Sequence, residues 1–327
     1  MAQILDATVP SAIHRAAACI QAGGVVAFPT ETVYGLGADA LNERAVAQVF
    51  AIKQRPAFDP LIVHIAQVDA VPRYASGIDE RARVLMQRCW PGPLTLVLPK
   101  QPVIPDLVTA GLSTVGLRMP AHPVALSLLR AAGTPIAAPS ANPFGYVSPT
   151  TAQHVQDTLG EKIELILDGG PCPVGLESTV CALGSEEAVV LRPGGLSVEE
   201  IEALIGPVRL PSSTDADPRS PGTLPQHYAP HVRLTLLAPG QALPRPSPQE
   251  RVGLLSLRPV PAAAAYTHQE ALSAGGDVLE AAANLFAALH RFDRLGLDRL
   301  VVEAVPEQGL GRAIMDRLRR AAARGAD

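Results

Sequence analysis

Long apolar runs are missing. No stretch of about 18 apolar residues occurs in the 327-residue chain, which argues against a membrane-spanning helix. The opening MAQILDATVPSAIHRAA has no basic stretch leading into an apolar core, so no secretory leader is expected and a cytoplasmic protein is. Cysteine is sparse and scattered, at Cys19, Cys89, Cys172 and Cys181, with no C-x-x-C and no zinc-like spacing to histidine. Reduced thiols are the simplest reading. Lysine occurs only at Lys53, Lys100 and Lys162 among 27 basic residues, and the net charge is −4. That balance disfavours a globally basic nucleic-acid binder and leaves room only for a local basic cleft. No internal repeat is visible. The hydrophobic share of 47% and the charged share of 18% are enough for an ordinary globular core.

Proline divides the chain. The stretch from Pro207 to Pro248 holds eight further prolines and reads as a linker poor in regular structure. The expected organisation is a larger domain over 1–206, a linker over 207–231 and a smaller domain over 232–327. In the first part, Gly24–Phe28, Leu61–Ile65, Leu94–Leu98, Thr134–Ala138 and Glu164–Leu167 are strand-like, and Glu43–Lys53 is an amphipathic helix. In the last part, Arg251–Leu257 and Leu300–Val305 read as strands, and 281–292 and 312–323 as helices. The fold class is therefore α/β, with a mixed sheet covered by helices and a Rossmann-like second domain. The strand–glycine–helix passage from Val302 to Gly311 suits either a second anion site or close packing. Arg317, Arg319 and Arg320 read as a solvated helix face.

Four segments carry chemistry. Pro29-Thr-Glu-Thr-Val-Tyr-Gly-Leu-Gly37 follows a buried strand and gathers hydroxyls, a carboxylate and glycines where α/β sheets bind ligands; it could equally be a polar loop. Lys53 lies seven residues after Val46, on the apolar face of its helix, with Arg55 just beyond. The pair suits a polyphosphate, or simply complements the helix dipole. Pro139-Ser-Ala-Asn-Pro-Phe-Gly145 offers Ser140 and Asn142 at a strand end, in residues that also make ordinary turns. Ser113-Thr114 with Arg118, Glu177-Ser-Thr179 and Arg192-Pro-Gly-Gly195 place hydroxyls and guanidiniums beside apolar strands. Together they imply a cleft that binds and orients an anionic, phosphate-bearing ligand, without a cysteine or histidine nucleophile.

These segments, FPTETVYGLGADA, KQRP, PLIVHI, GLSTVGLRMPAHP, APSANPFG, LESTV and LRPGG, resemble YrdC-like domains in content and order over nearly all of residues 10–206. Ser220-Pro-Gly222 with His227-Tyr-Ala-Pro230, and the run from Gly309 to Ala322, extend the resemblance to two-domain threonylcarbamoyl-adenylate synthases. They distinguish it from the hydrogenase-maturation carbamoyltransferases with their zinc-finger and acylphosphatase segments.

The resemblance implies a nucleotidyltransferase. It would make threonylcarbamoyl-AMP from ATP, L-threonine and bicarbonate, with Mg2+ accompanying ATP, and hand the product to the tRNA threonylcarbamoyl transfer machinery. By motif position it implies Thr32, His64, Arg118, Ala138 and Ser178 at threonine, with Arg118 on the carboxylate. It implies Arg55, Asp59, Thr114, Ser140, Asn142, Ser148, Arg192 and Tyr228 at ATP, with Lys53 and Arg55 as the catalytic cations. Two positions depart from the pattern. Many relatives have asparagine or lysine at position 59, and a carboxylate there repels a triphosphate unless a metal intervenes. Thr223-Leu-Pro-Gln226 replaces a linker stretch that often carries methionine and basic residues. The rival readings are an RNA-binding module, with salt-sensitive affinity and no turnover, and a nucleotide-binding protein without chemistry.

Overall fold

The computed structural model describes residues 1–184, 187–210, 227–261 and 265–323. Among the described residues, fifteen strands form two separate sheets. The larger contains β1 (Gln3–Asp6), β2 (Val26–Phe28), β3 (Gly35–Asp39), β4 (Ile62–His64), β5 (Leu94–Pro99), β6 (Thr114–Arg118), β7 (Ile136–Ala137), β8 (Leu165–Asp168), β9 (Thr179–Leu183), β10 (Ala188–Arg192) and β11 (Val208–Arg209). Their order is β1-β8-β2-β3-β7-β4-β6-β5-β9-β10-β11, with parallel and antiparallel neighbours mixed. The smaller sheet holds β12 (Arg233–Leu236), β13 (Val252–Ser256), β14 (His268–Ala271) and β15 (Arg299–Val302), ordered β12-β15-β13-β14 and wholly parallel.

Alternation along the strands decides where the large sheet is covered. Leu36, Val63, Leu96, Leu117 and Ala137 enter one core with helices Glu43–Lys53, Glu80–Cys89 and Val198–Ile205. On the opposite face, helices Pro10–Gln21 and Pro123–Ala132 cover the end from β8 to β7, through residues such as Ile20, Leu128, Phe28, Leu167 and Ile136. Ile62, His64 and Arg118 alternate onto that second face beyond these helices, which leaves room for a cleft.

The helix expected over Glu43–Lys53 has those bounds. The Asn42 side chain accepts from the backbone N–H groups of Arg44 and Ala45, and Gln54 in the left-handed region (φ 54°) stops the helix. Strand β3 was not expected, and β11 lies past residue 206, where the linker was expected to begin. Ser220–Gly222 and Thr223–Gln226 fall outside the described residues.

In the second domain, helices Val278–Asp293 and Gly311–Ala322 both pack on the face formed by Leu234, Leu255, Leu300 and Val302. The other face, Val252, Leu254 and Val301, is covered by Leu237, Leu243, Val260 and Tyr266. That covering layer is irregular chain among the described residues. The passage into the last helix favours close packing over an anion site, because a Cβ on Gly311 would stand 1.8 Å from the Pro306 carbonyl oxygen. The two domains share one apolar cluster in which Val33, Val147, Leu176 and Tyr228 meet the second domain's helices. Gly175 (φ +73°) lets its loop lie against helix Val278–Asp293; a Cβ there would be 2.5 Å from the Ala283 Cα.

Candidate active site

A cleft opens where the second face of the large sheet meets the linker residues His227 and Tyr228. Of the residues expected at a ligand, Thr32, Arg55, His64, Arg118, Ala138, Ser140, Ser178, Arg192 and Tyr228 line it. Its charged lining is three arginines, Arg55, Arg118 and Arg192, against the single carboxylate of Glu177. Such a surface selects anions.

Each part is built by a recognisable local device. The loop after β2 turns on Thr30, whose Oγ1 donates to the Val33 carbonyl at 2.7 Å and lies 2.8 Å from Thr32 Oγ1. His64 and Arg118 stand opposite each other in the β4–β6 register. Arg118 Nη2 pairs with Glu31 Oε1 at 2.7 Å, and Glu31 Oε2 accepts the Ala121 N–H at 3.0 Å. A guanidinium anchored on one side is pre-aimed for a second carboxylate. Ser178 Oγ lies 2.8 Å from Thr95 Oγ1, and Arg192 Nη2 donates to the Ser178 carbonyl at 2.9 Å.

Arg55 follows its helix and folds back, donating to the carbonyls of Asp59 (3.0 Å) and Pro60 (2.9 Å) and pairing with Asp59 Oδ1 at 2.8 Å. Asp59 is thus the partner of Arg55, and the carboxylate does not reach the lining. Burial raises its pKa, against the pull of Arg55 and Lys53.

Lys53, Asn142 and Ser148 stand beside the cleft and are absent from its lining. Lys53 is 2% exposed and donates to the carbonyls of Ser140 and Asn142, so its ammonium fixes the loop that presents Ser140. Burial, then the nearby Arg55, pushes its pKa well below the usual ammonium value. Asn142 Nδ2 donates to the carbonyls of Pro143 and Tyr146, both at 2.9 Å. Ser148 Oγ donates to Glu177. Thr114 is at the far end of β6 from Arg118, about 13 Å along the strand at the usual rise. It lines a neighbouring depression of about 290 Å³ with Thr95 and Thr109, which shares Pro60 and Ile62 with the main cleft.

Four residues at or beside the cleft were given no ligand role from the sequence: Glu31, Thr95, His227 and Arg317. The most consequential is Arg317. It was expected on a solvated helix face and is instead fully buried, 2.8 Å from Glu177 Oε2 through Nε. The sequence did hold a signal: Arg317 sits three residues after Ile314 and one before Leu318, inside the apolar stripe, whereas Arg319 lies off it. Burial opposes the charge of Glu177, but Arg317, Arg192 and the Ser148 hydroxyl outweigh it and hold the pKa below the ordinary carboxylate value. Burial and then Arg118 push the His64 pKa down to about 3, so its ring is neutral near pH 7. His227 is also held well below its usual value, by burial and then Arg55.

No group of three or more His, Cys, Asp or Glu side chains that could cage a metal occurs among the described residues. The four cysteines are unpaired.

Fold and cleft together define a class: a two-domain α/β protein with an arginine-lined anion pocket at the domain junction and no cysteine on the pocket's lining. Comparison with known proteins narrows the class. Residues 18–194 match the family described as "Telomere recombination", and residues 196–323 match "Threonylcarbamoyl-AMP synthase, C-terminal domain". Threonylcarbamoyl-AMP synthase of Pyrococcus abyssi is 46% identical over 94% of this chain and 93% of its own. That of Bacillus subtilis is 43% identical over 95% and 92%. The crystal structure of P. abyssi Sua5 complexed with L-threonine superposes with a TM-score of 0.89 at 42% identity, covering 97% of this chain and 96% of that one. The chain belongs to the threonylcarbamoyl-AMP synthase family.

Proposed function

We propose that this chain joins L-threonine, bicarbonate and ATP into threonylcarbamoyl-AMP and pyrophosphate. The observation that carries the reading is the cleft lining, three arginines and several hydroxyls at the end of a motif-bearing sheet, beside family membership along the whole chain. The threonine amine and carbon dioxide derived from bicarbonate give a carbamate. A carbamate oxygen then attacks the α-phosphorus of ATP in line; the new O–P bond forms as the bond to the β-phosphate oxygen breaks, and pyrophosphate departs with that electron pair.

Arg118, already anchored by Glu31, receives the threonine carboxylate, with Thr32, His64, Ala138 and Ser178 around the amino acid. Arg55 and Arg192 face the phosphates, where developing charge rewards fixed cations, and Ser140 and Tyr228 complete the nucleotide side. Lys53 acts through the Ser140–Asn142 loop that it holds. Thr114, in the adjoining depression, serves a nucleotide group that extends beyond Pro60 and Ile62. The neutral His64 orients its ligand and carries no positive charge at pH 7.

The residue set fits Mg2+ that arrives on the phosphates better than a protein-housed ion. Glu31, Asp59 and Glu177 are each paired with an arginine. Mg2+ commonly takes most of its ligands from phosphates and water. When bound it supplies charge neutralisation on the polyphosphate.

No helix among the described residues is long and apolar enough to cross a membrane. In this reading the chain acts in the cytoplasm and its product passes to the tRNA threonylcarbamoyl transfer machinery. The test is pyrophosphate release by the purified chain with ATP, bicarbonate and threonine. Turnover that vanishes without threonine is expected. No release with all three present contradicts the reaction.

A further inference from the structure

We infer that Arg317 of the second domain is a positioning residue for the reaction: it fixes Tyr228 and the Glu177–Ser178 rim, so that the C-terminal domain completes the nucleotide side of the cleft. The inference rests on the nucleotide role proposed above for Tyr228 and Arg192.

Arg317 lies on the inner face of helix Gly311–Ala322 and is fully buried. Stability alone does not call for a guanidinium there, since an interior ion pair is commonly no better than well-packed apolar side chains. Its contacts point to the cleft. Nε donates to Glu177 Oε2 at 2.8 Å, Nη1 to Asp316 Oδ2 at 2.7 Å, and the guanidinium carbon stands 4.9 Å from the centre of the Tyr228 ring. Glu177 and Tyr228 are themselves lining residues, and Ser178, which follows Glu177, takes Arg192.

Tyr228 needs such support. Its backbone is left-handed at φ 63°, a conformation that a non-glycine residue rarely adopts and that persists where surroundings impose it. Within the first domain, the Ala229 N–H donates to the Gly145 carbonyl at 2.9 Å. The ring itself is gripped from the second domain, by Arg317 and by Phe286, whose ring is stacked on it at 5.7 Å and 25°. A planar guanidinium can pair with Glu177 and lie over an aromatic face at once; an ammonium can pair but cannot stack as a plane. Arg317 therefore couples the carboxylate at one side of the rim to the tyrosine at the other.

The experiment uses the full-length chain, measuring KM for ATP and for threonine, kcat and thermal stability for Arg317→Lys, Tyr228→Leu, their double variant and Phe286→Leu. Arg317→Lys should raise KM for ATP about tenfold, with KM for threonine within about twofold of wild type. Phe286→Leu, which removes no charge, should move KM for ATP in the same direction. The double variant should be no worse than Tyr228→Leu alone, because both changes remove one coupled contact. A merely structural arginine would lower stability without this split. Should Arg317→Lys fold poorly, Arg317→Met combined with Glu177→Gln removes the pair without stranding a charge, and must show the same rise in KM for ATP. An unchanged KM for ATP, or penalties that multiply independently in the double variant, overturns the inference. Wild-type protein without threonine-dependent turnover contradicts the proposed reaction instead, and the variants are then compared by equilibrium ATP binding, where equal affinities overturn the inference separately.

Discussion

Lys53 in the first domain and Arg317 in the second are both cations on the apolar stripe of a helix, and both are almost wholly buried. Lys53 satisfies carbonyls of its own domain, at Ser140 and Asn142. Arg317 reaches across the domain junction to Glu177, 140 positions away in sequence, and to Tyr228 of the linker. One cation shapes a loop, and the other ties two domains to one rim. A buried cation on a helix is thus the same sequence signal in both places, and its meaning depends on what the fold brings opposite it.

The comparison breaks most sharply at Arg317. Arg317→Met leaves Glu177 buried without its guanidinium and should cost about 3–5 kcal/mol of stability, as happens when one member of an interior pair is removed. Adding Glu177→Gln should restore much of it. Urea unfolding of the single and double variants checks this, and a single variant as stable as wild type would mean that the pair is not closed in solution. Lys53→Met should cost a comparable amount, about 1–3 kcal/mol for each of the two carbonyls left without a donor. Its loss should also be independent of Glu177→Gln, because the two cations share no partner; non-additive unfolding energies would show that they do.

The domain junction should respond to acid more gently. His154 and His290 stack at 4.0 Å, and His290 Nε2 lies 3.2 Å from the Ser148 carbonyl. Burial first, then the stacked His290 and the nearby arginines, pushes His154 to about 3; burial pushes His290 to about 4. Both folded pKa values lie below the unfolded value of about 6.5. The unfolded chain therefore binds protons first, so the stability these rings confer is complete above about pH 6.5 and falls as pH drops towards 4 and 3. Glu177, also depressed in the folded state, loses its contribution only below the ordinary carboxylate range. The melting temperature should decline between pH 7 and 5, and His154→Phe, which keeps a ring in the stack, should flatten that decline. An unchanged slope would remove the histidine pair from the account.

The first domain was the more legible half. Its helix over Glu43–Lys53 follows from periodicity, and β2, β4, β5, β7 and β8 from short apolar runs. Strand β3, Gly-Leu-Gly-Ala-Asp, was missed because its residues have little β preference; pairing with β2 and β7 imposes the strand. Nine of the expected ligand residues converge on one cleft because their motifs are contiguous loops or strand ends, which sequence order already groups. Thr114 did not join them, because it lies four positions of extended strand from Arg118. Glu31, Thr95 and Arg317 received no site role because each meets a partner that only the folded register supplies. Arg317 was nonetheless written into the helix pattern, between Ile314 and Leu318.

The division of the cleft into an amino-acid end and a nucleotide end is the central claim, and Arg118 tests it most directly. Arg118→Lys keeps the charge but loses the fork that can hold Glu31 and a substrate carboxylate together. Parallel measurement of KM for threonine and for ATP should show the first rising by about tenfold or more and the second almost unmoved. Equal losses in both would contradict the assignment of the two ends.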